Sequence, residues 1–353
     1  IVIEGTISVD GSDVPIQVVY PPAFPYLRPE VISRTSTLDR HQNPYSRNLC
    51  VIPNEQDSWN QQMTGAFMVE QAVALLEANR RGSADVAARE VDAPEPMSTW
   101  YPYNDGCSFI VLQQPPKTEP GQFGTFFAKQ RTSSPYVQVA LTGMRIAKVS
   151  GEWSLDNGYA ALSYGQEIVG TWLRCSARPP FLGTPGSESN YDNFLQWAKS
   201  QDKNFSYRLA ELRSKNNGTA AFGLVYMDEG PARGQYHENW LVGVESTSFR
   251  VLLRPMLWTP EDQMRRIPAL QGLREKKVLL IGLGALGSPM ATALARASVG
   301  HLGLVDFDFV DAGPLVRQDY DLRDLGLPKV AAAEWRVRHA NPHISPTSAV
   351  SAA

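Results

Sequence analysis

Two groups of residues in this chain have the types and spacing that chemistry needs. The first follows the apolar run 278–281, where Gly282-Leu283-Gly284-Ala285-Leu286-Gly287 leads into an alanine-rich stretch, 288–297. Strand, glycine turn and helix in that order form a phosphate cradle. The first glycine allows the tight turn, and the second lets a phosphate approach the backbone. The third lets helix and strand pack closely, and the helix N-terminus attracts the anion. A second apolar run, 301–305, ends at Asp306, 19 residues beyond Gly287, where an acid would read a ribose hydroxyl. This order predicts a nucleotide-binding α/β fold. The glycine fingerprint by itself fits NAD as well as ATP.

The second group surrounds Cys50, in Arg40-His41-Gln42-Asn43-Pro44-Tyr45-Ser46-Arg47-Asn48-Leu49-Cys50, with Trp59 nine residues further on. A thiol on a polar loop is accessible enough to act as a nucleophile or acyl carrier. The Asn43 amide is placed to donate to an oxyanion or to hold the loop. Cys107 and Cys175 adjoin apolar, strand-like runs and read as packing residues. The three cysteines lie far apart and the five histidines are scattered, so no metal site is expected.

The elements that must position these groups follow from periodicity and turn residues. Residues 1–9 and 15–20 read as two strands joined at Asp10-Gly11, a hairpin signal. The proline-rich stretch 21–29 cannot be helical. Residues 30–33 read as a third strand, and Ala66, Val69, Val73 and Leu76 recur at helical spacing. Residues 83–99 read as a linker. A middle region, 100–257, shows alternating runs at 108–112, 136–141, 222–226, 241–244 and 249–253, with a helical stretch at 191–199. It reads as mostly β or α+β. Thr259-Pro260-Glu261-Asp262 is a helix start, and from 277 a parallel α/β sheet opens.

The chain has 353 residues, enough for two or three domains. Its net charge of −3 gives no general drive toward nucleic acid or anionic lipid. Residues 278–295 carry no charge, but glycines and a proline interrupt them, so no membrane span is expected. Sparse cysteine suggests a reducing, cytoplasmic setting. The chain opens without Met on Ile1-Val2-Ile3 and reads as a piece of a longer protein.

Beyond Asp306, the run Asp306-Phe307-Asp308-Phe309-Val310, the pair Arg317-Gln318 and Pro328-Lys329 resemble the adenylation domain of the E1 superfamily, the ThiF/MoeB-like enzymes. The resemblance implies that Asp306 holds the adenosine ribose and that Arg317 and Lys329 hold phosphates. Gly282, Gly284, Gly287, Asp308 and Gln318 would line a site for ATP with Mg2+. Pro314 stands where the family usually has Asn. The later Asp of the ATP and magnesium site, and the E1 cysteine, are expected beyond residue 353. The family also implies a homodimer through this domain, with Arg265 or Arg266 reaching the partner's ATP.

The region around Cys50 resembles the core of a ubiquitin-conjugating enzyme (E2). Phe24-Pro25-Tyr26-Leu27-Arg28-Pro29 matches its proline segment. His41-Gln42-Asn43 stands at its H-P-N motif, with the proline displaced to position 44. This family uses no Cys-His dyad, which implies a structural His41; the alternative is a base, beside Cys50 and Asn43 in the catalytic set. The resemblances imply an E2-like α+β domain over 1–82, a β-rich middle domain over 100–257 and the first half of a Rossmann-like adenylation domain over 258–353. The arrangement resembles bacterial E2–E1 fusions, including those of CBASS antiphage defence. The implied function is ATP-dependent activation of the C-terminal carboxylate of a ubiquitin-like or CD-NTase-type protein. Transfer through Cys50 to a target protein would follow. The alternatives are an NAD-dependent oxidoreductase, a non-catalytic scaffold, and a sulfur-carrier adenylyltransferase of the MoeB/ThiF type.

Overall fold

The computed structural model describes residues 1–38, 40–52, 59–81, 95–133, 135–156, 165–184, 186–230, 234–260, 263 and 268–349. The expected helix start at Glu261-Asp262, Arg265, Arg266 and most of the expected linker lie outside the described residues. The chain packs as two units. One comprises residues 1–102, 180–187 and 227–237; the other comprises 103–179, 188–226 and 238–353.

The first unit is built on an antiparallel meander in the order β1-β2-β3, with strands β1 (Val2–Val9), β2 (Ser12–Val19) and β3 (Glu30–Ile32). Asp10 (φ 43°) and Gly11 (φ 75°) take the left-handed conformations that a two-residue hairpin needs. Helix α1 (Gly65–Arg80) is N-capped by the Thr64 hydroxyl, which accepts the Phe67 N–H at 3.3 Å. Its buried face is Met68, Ala72, Leu75 and Leu76. That is about one residue round from the expected Ala66-Val69-Val73-Leu76 stripe. The exposed Ala66 is too small to anchor a face, whereas Met68 and Leu75 fill the core with Val9, Val14, Ile16, Val18, Val31, Leu49 and Val51.

An eight-stranded sheet runs β4-β11-β10-β9-β8-β5-β6-β7; it belongs to the second unit except for 227–229 and 236–237, which are counted with the first. Its strands are β4 (Cys107–Val111), β5 (Phe123–Ser133), β6 (Tyr136–Ile146), β7 (Trp153–Ser154), β8 (Gln166–Arg174), β9 (Ala220–Glu229), β10 (Tyr236–Glu245) and β11 (Arg250–Leu257). β4 pairs in parallel with both β11 and β6, so the sheet closes into a barrel. Closure leaves no open edge on the strands that complete the ring. The rings of Phe109, Phe126 and Trp240 fill the interior, with centroids 5.4–6.0 Å apart. A Cβ on Gly170 would sit 2.1 Å from the Phe126 ring, so this strand position must be glycine. Helices α2 (Asn190–Gln201) and α3 (Phe205–Lys215) follow β8, and α2 matches the expected helical stretch.

After β11 the chain builds a parallel sheet in the order β12-β13-β14, with β12 (Lys277–Ile281), β13 (His301–Val305) and β14 (Ser345–Ala349). Helices α4 (Gly287–Arg296) and α5 (Lys329–Ala340) connect the strands. The fold is thus mixed α/β with a Rossmann-like C-terminal part, as expected. No helix among the described residues is long and apolar enough to cross a membrane.

Candidate functional site: a glycine turn and a cysteine loop

The glycine turn leaves the C-terminal end of β12, and Asp306 follows the C-terminal end of β13. Ile281 and Val305 are register partners, and the Gly282 N–H donates to the Val305 carbonyl at 2.8 Å. Parallel α/β sheets bind ligands at this end. Each glycine has a distinct reason. Gly282 has φ 86°, a left-handed conformation. A Cβ on Gly287 would stand 1.8 Å from the Gly282 carbonyl oxygen, so helix and turn meet only through glycine. A Cβ on Gly284 would meet nothing within 4 Å, so open space lies over its backbone.

The remaining sequence-selected residues lie on the segments that follow β13. Asp306 is 9% exposed. Its Oδ2 accepts the Leu283 N–H at 2.6 Å and its Oδ1 accepts the Asp308 N–H at 2.8 Å. Residues 308–310 pair with 326–329 through Lys329 N to Asp308 O (2.9 Å) and Val310 N to Leu327 O (2.9 Å). That pairing puts Lys329 Nζ 2.8 Å from Asp308 Oδ2. Arg317 ends the exposed 3-10 turn Gly313–Arg317, which contains Pro314.

Gln318 is placed by neighbours that sequence reading did not select. Ser288 Oγ donates to Gly284 O (2.7 Å) and accepts the Asp319 N–H (2.9 Å). The Thr292 hydroxyl donates to Asp319 Oδ2 at 2.6 Å, and the Tyr320 hydroxyl donates to Leu283 O at 2.9 Å. These bonds dock residues 318–320 on the glycine turn. Gln318 Oε1 is left buried with no hydrogen-bond partner. An orphaned buried oxygen is costly unless a ligand or water satisfies it. Open space at Gly284, the buried Lys329 cation and this orphan fit a phosphate-bearing nucleotide. Ser288 and Tyr320 carry a sequence signal only through adjacency, next to Gly287 and just after Arg317-Gln318.

Cys50, Asn43 and His41 are brought together in the first unit. Cys50 is half-buried, while Cys107 and Cys175 are buried. The loop is built by backbone bonds: Cys50 N to His41 O (2.7 Å), Asn43 N to Asn48 O (2.9 Å) and Leu49 N to Val31 O (2.8 Å). Asn43 Oδ1 accepts the Tyr45 and Ser46 N–H groups at 2.9 and 3.0 Å, an Asx turn. Its amide oxygen therefore holds the loop. His41 has φ 60°, and its N–H donates to both Glu95 carboxylate oxygens at 3.0 and 3.1 Å. Its ring Nδ1 lies 3.7 Å from Glu95 Oε2.

Gln42, standing where a proline was expected, organises the loop from within. It is 2% exposed. It accepts the Leu38 N–H at 2.9 Å and donates to the carbonyls of Ser33 and Ser36 at 3.0 and 3.1 Å. The proline segment closes the other side. Trp59 Nε1 donates to Pro25 O at 3.0 Å, and an Arg28 guanidinium nitrogen donates to Ile52 O at 3.2 Å. Burial pushes the Cys50 thiol up from its ordinary value and Glu95 adds to this, while Arg28 pulls it down.

With this geometry in hand, residues 260–352 match the family described as ThiF family. The C-terminal part of the chain is therefore a ThiF-family adenylation domain of the E1-like type. Over 94% of its length the chain is 28% identical to the uncharacterized protein y4oA of Sinorhizobium fredii, covering 58% of that protein. A second protein of that organism, the uncharacterized protein y4qC, is 24% identical over 95% of the chain and 58% of its own length. The chain thus spans a little over half the length of these relatives. The molybdopterin-synthase adenylyltransferase of Escherichia coli is 41% identical over 78 residues, 22% of this chain and 31% of that protein. Among solved structures, the E. coli tRNA N6-threonylcarbamoyladenosine dehydratase TcdA in complex with ATP is 32% identical, with a TM-score of 0.24. It covers 26% of this chain and 39% of its own.

Proposed function

We propose that this chain is part of an ATP-dependent enzyme that adenylates the C-terminal carboxylate of a small protein and hands the acyl group on through Cys50. The observation that carries the adenylation step is the glycine turn itself. Space is open over Gly284, Asp306 braces the turn through the Leu283 N–H, and the Tyr320 hydroxyl ties Leu283 O and Lys329 O together two residues beyond the orphaned Gln318 oxygen. Asp306 would read the ribose. Lys329 and Arg317 would hold phosphates, whose charge helix α4 also favours from its N-terminus. The carboxylate would attack the α-phosphate of ATP and expel pyrophosphate, leaving an acyl adenylate, with Mg2+ expected to neutralise the departing charge. The ThiF-family match over 260–352 and the adenylyltransferase relative support ATP over NAD.

The acyl-carrier step rests on the cysteine loop, read as E2-like. A meander of three strands leads through the proline segment to a half-buried thiol on a tightly bonded polar loop, and a helix follows. A thiol kept protonated by burial resists oxidation, and reacts when a donor thioester is docked on it. Thioester exchange is nearly isoenergetic, so ATP supplies the drive and Cys50 directs the acyl group. The carried molecule would be a ubiquitin-like or CD-NTase-type protein and the acceptor a target amine. The domain division is 1–82, 100–257 and 258–353, the enzyme is a homodimer through the adenylation domain, and the setting is bacterial defence or stress in the cytoplasm. The sulfur-carrier reading keeps the adenylation step and dispenses with Cys50.

The test is trapping in the native host. The full-length parent carrying Cys50→Ser would hold the acyl group as a stable oxyester, with Cys50→Ala as control. An ATP-dependent adduct joining position 50 to another protein's C-terminus is expected. Activity without any adduct at position 50 would favour the sulfur-carrier reading.

A further inference from the structure

The segment that braces the Cys50 loop, residues 95–98, is held by two adjacent buried acids nearly 180 residues further along the chain than Cys50. Asp228 is 2% and Glu229 4% exposed. Asp228 accepts the N–H groups of Met97 and Ser98 at 3.1 and 3.0 Å. Both Glu229 oxygens accept from Arg40 at 2.8 Å. Oε1 also takes the Gly234 N–H at 2.9 Å, and Oε2 takes the Glu95 N–H at 2.5 Å. Glu95 in turn grips the His41 N–H with both oxygens, and His41 O accepts the Cys50 N–H. A continuous set of bonds thus runs from Glu229 through Glu95 and His41 to Cys50. Buried charges are costly unless paired and fully hydrogen-bonded. Apolar side chains would fix this segment at less cost, so a charged clamp here calls for a reason beyond packing.

We propose that Glu229 is a positioning residue for the chemistry of Cys50: by gripping Arg40 and the Glu95 backbone, it holds the Glu95 carboxylate against His41 and so sets which charge the thiol faces. This rests on reading Cys50 as the reactive thiol. Among the described residues, the charged and titratable groups around it are Glu95 and Arg28, with His41 and Arg40 against Glu95. Burial pushes the Glu229 carboxyl up, but the N–H donors of Gly234 and Glu95 together with Arg40 outweigh it, so Glu229 stays ionised. The clamp is therefore charged throughout the neutral range.

The test is site-resolved alkylation of the full chain with iodoacetamide, followed across pH by mass spectrometry of the Cys50 peptide. Glu229→Gln keeps the shape and removes the charge. Glu95 then loses its anchor, and the Cys50 profile is expected to move down by about half a pH unit, roughly a three-fold gain in rate at neutral pH. Glu95→Gln is expected to move it the same way. Cys107 and Cys175 should stay protected, which reports an intact fold. If they become reactive in Glu229→Gln, Glu229→Asp decides: it is expected to give a smaller shift in the same direction. A Glu229 profile that superimposes on the unmodified protein, in whichever variant stays folded, overturns the proposal. Alkylation needs no acyl donor, so failure of the trapping experiment and failure of this clamp are read separately.

Discussion

Lys329 and Asp308, 21 residues apart in sequence, are joined twice. The Lys329 N–H donates to the Asp308 carbonyl at 2.9 Å, and its ammonium stands 2.8 Å from the Asp308 carboxylate. The lysine side chain is 9% exposed and the aspartate's 52%. A buried cation thus stands against a carboxylate that is open to solvent. Lys329→Ala is expected to weaken ATP binding by the full-length parent about ten- to a hundred-fold, the worth of a charge-assisted hydrogen bond. Calorimetric titration with ATP measures this. Unchanged affinity would remove Lys329 from the phosphate site.

The roles of Gly284 and Gly287 in the turn separate by substitution. Gly287→Ala drives a Cβ to 1.8 Å from the Gly282 carbonyl oxygen and should cost about 2–3 kcal/mol of stability. Gly284→Ala meets no protein atom within 4 Å and should leave the unfolding midpoint nearly unchanged while weakening ATP binding. Thermal unfolding and nucleotide titration of both variants check the pair. Equal loss of stability would show that the space over Gly284 is not a ligand's.

Cys50 should alkylate more slowly than a free thiol at neutral pH, because burial and Glu95 hold its proton on, and its rate should climb with pH. Cys175, which burial pushes up to about 12, should not react in the folded protein. Mass spectrometry of the three cysteine peptides measures the order. Cys175 reacting alongside Cys50 under native conditions would contradict it.

Acid should loosen the segment that follows Gln318. Arg323 first, and Arg336 with it, hold the Asp321 carboxyl well below the usual carboxylate range. Arg336 also pairs with Asp324 at 2.5 Å. A depressed carboxyl contributes stability that is present above its unfolded pKa and lost as pH falls through the folded value. The melting temperature of the unmodified protein should therefore exceed that of Arg336→Ala at pH 7. The gap should narrow steadily below about pH 4, where the unfolded carboxyls protonate. A gap independent of pH would assign Arg336 a packing role only.

The order strand, glycine turn, helix, strand was legible in the sequence because it is local. Hydrophobic runs of four or five residues, glycines at fixed offsets and an acid after the second strand are read along the chain without knowing what packs on what. The hairpin at Asp10-Gly11 and most strands of the middle region were legible for the same reason. The face of α1 was misplaced by a residue, because side-chain volume in the core and not spacing alone decides what is buried.

What the sequence determined by itself was the set of chemically able groups: a glycine turn with its acid, cation and amide, and one cysteine on a polar loop. Tertiary structure decided how each is held. Only folding shows that β4 closes the barrel, that Ser288, Asp319 and Tyr320 dock Gln318 on the turn, and that Gln42 stands inside the cysteine loop. Glu229 carries no signal near Cys50, since 179 residues separate them. Hydrogen bonds and ion pairs between distant segments depend on where the packed strands bring their ends, and local residue types do not encode that.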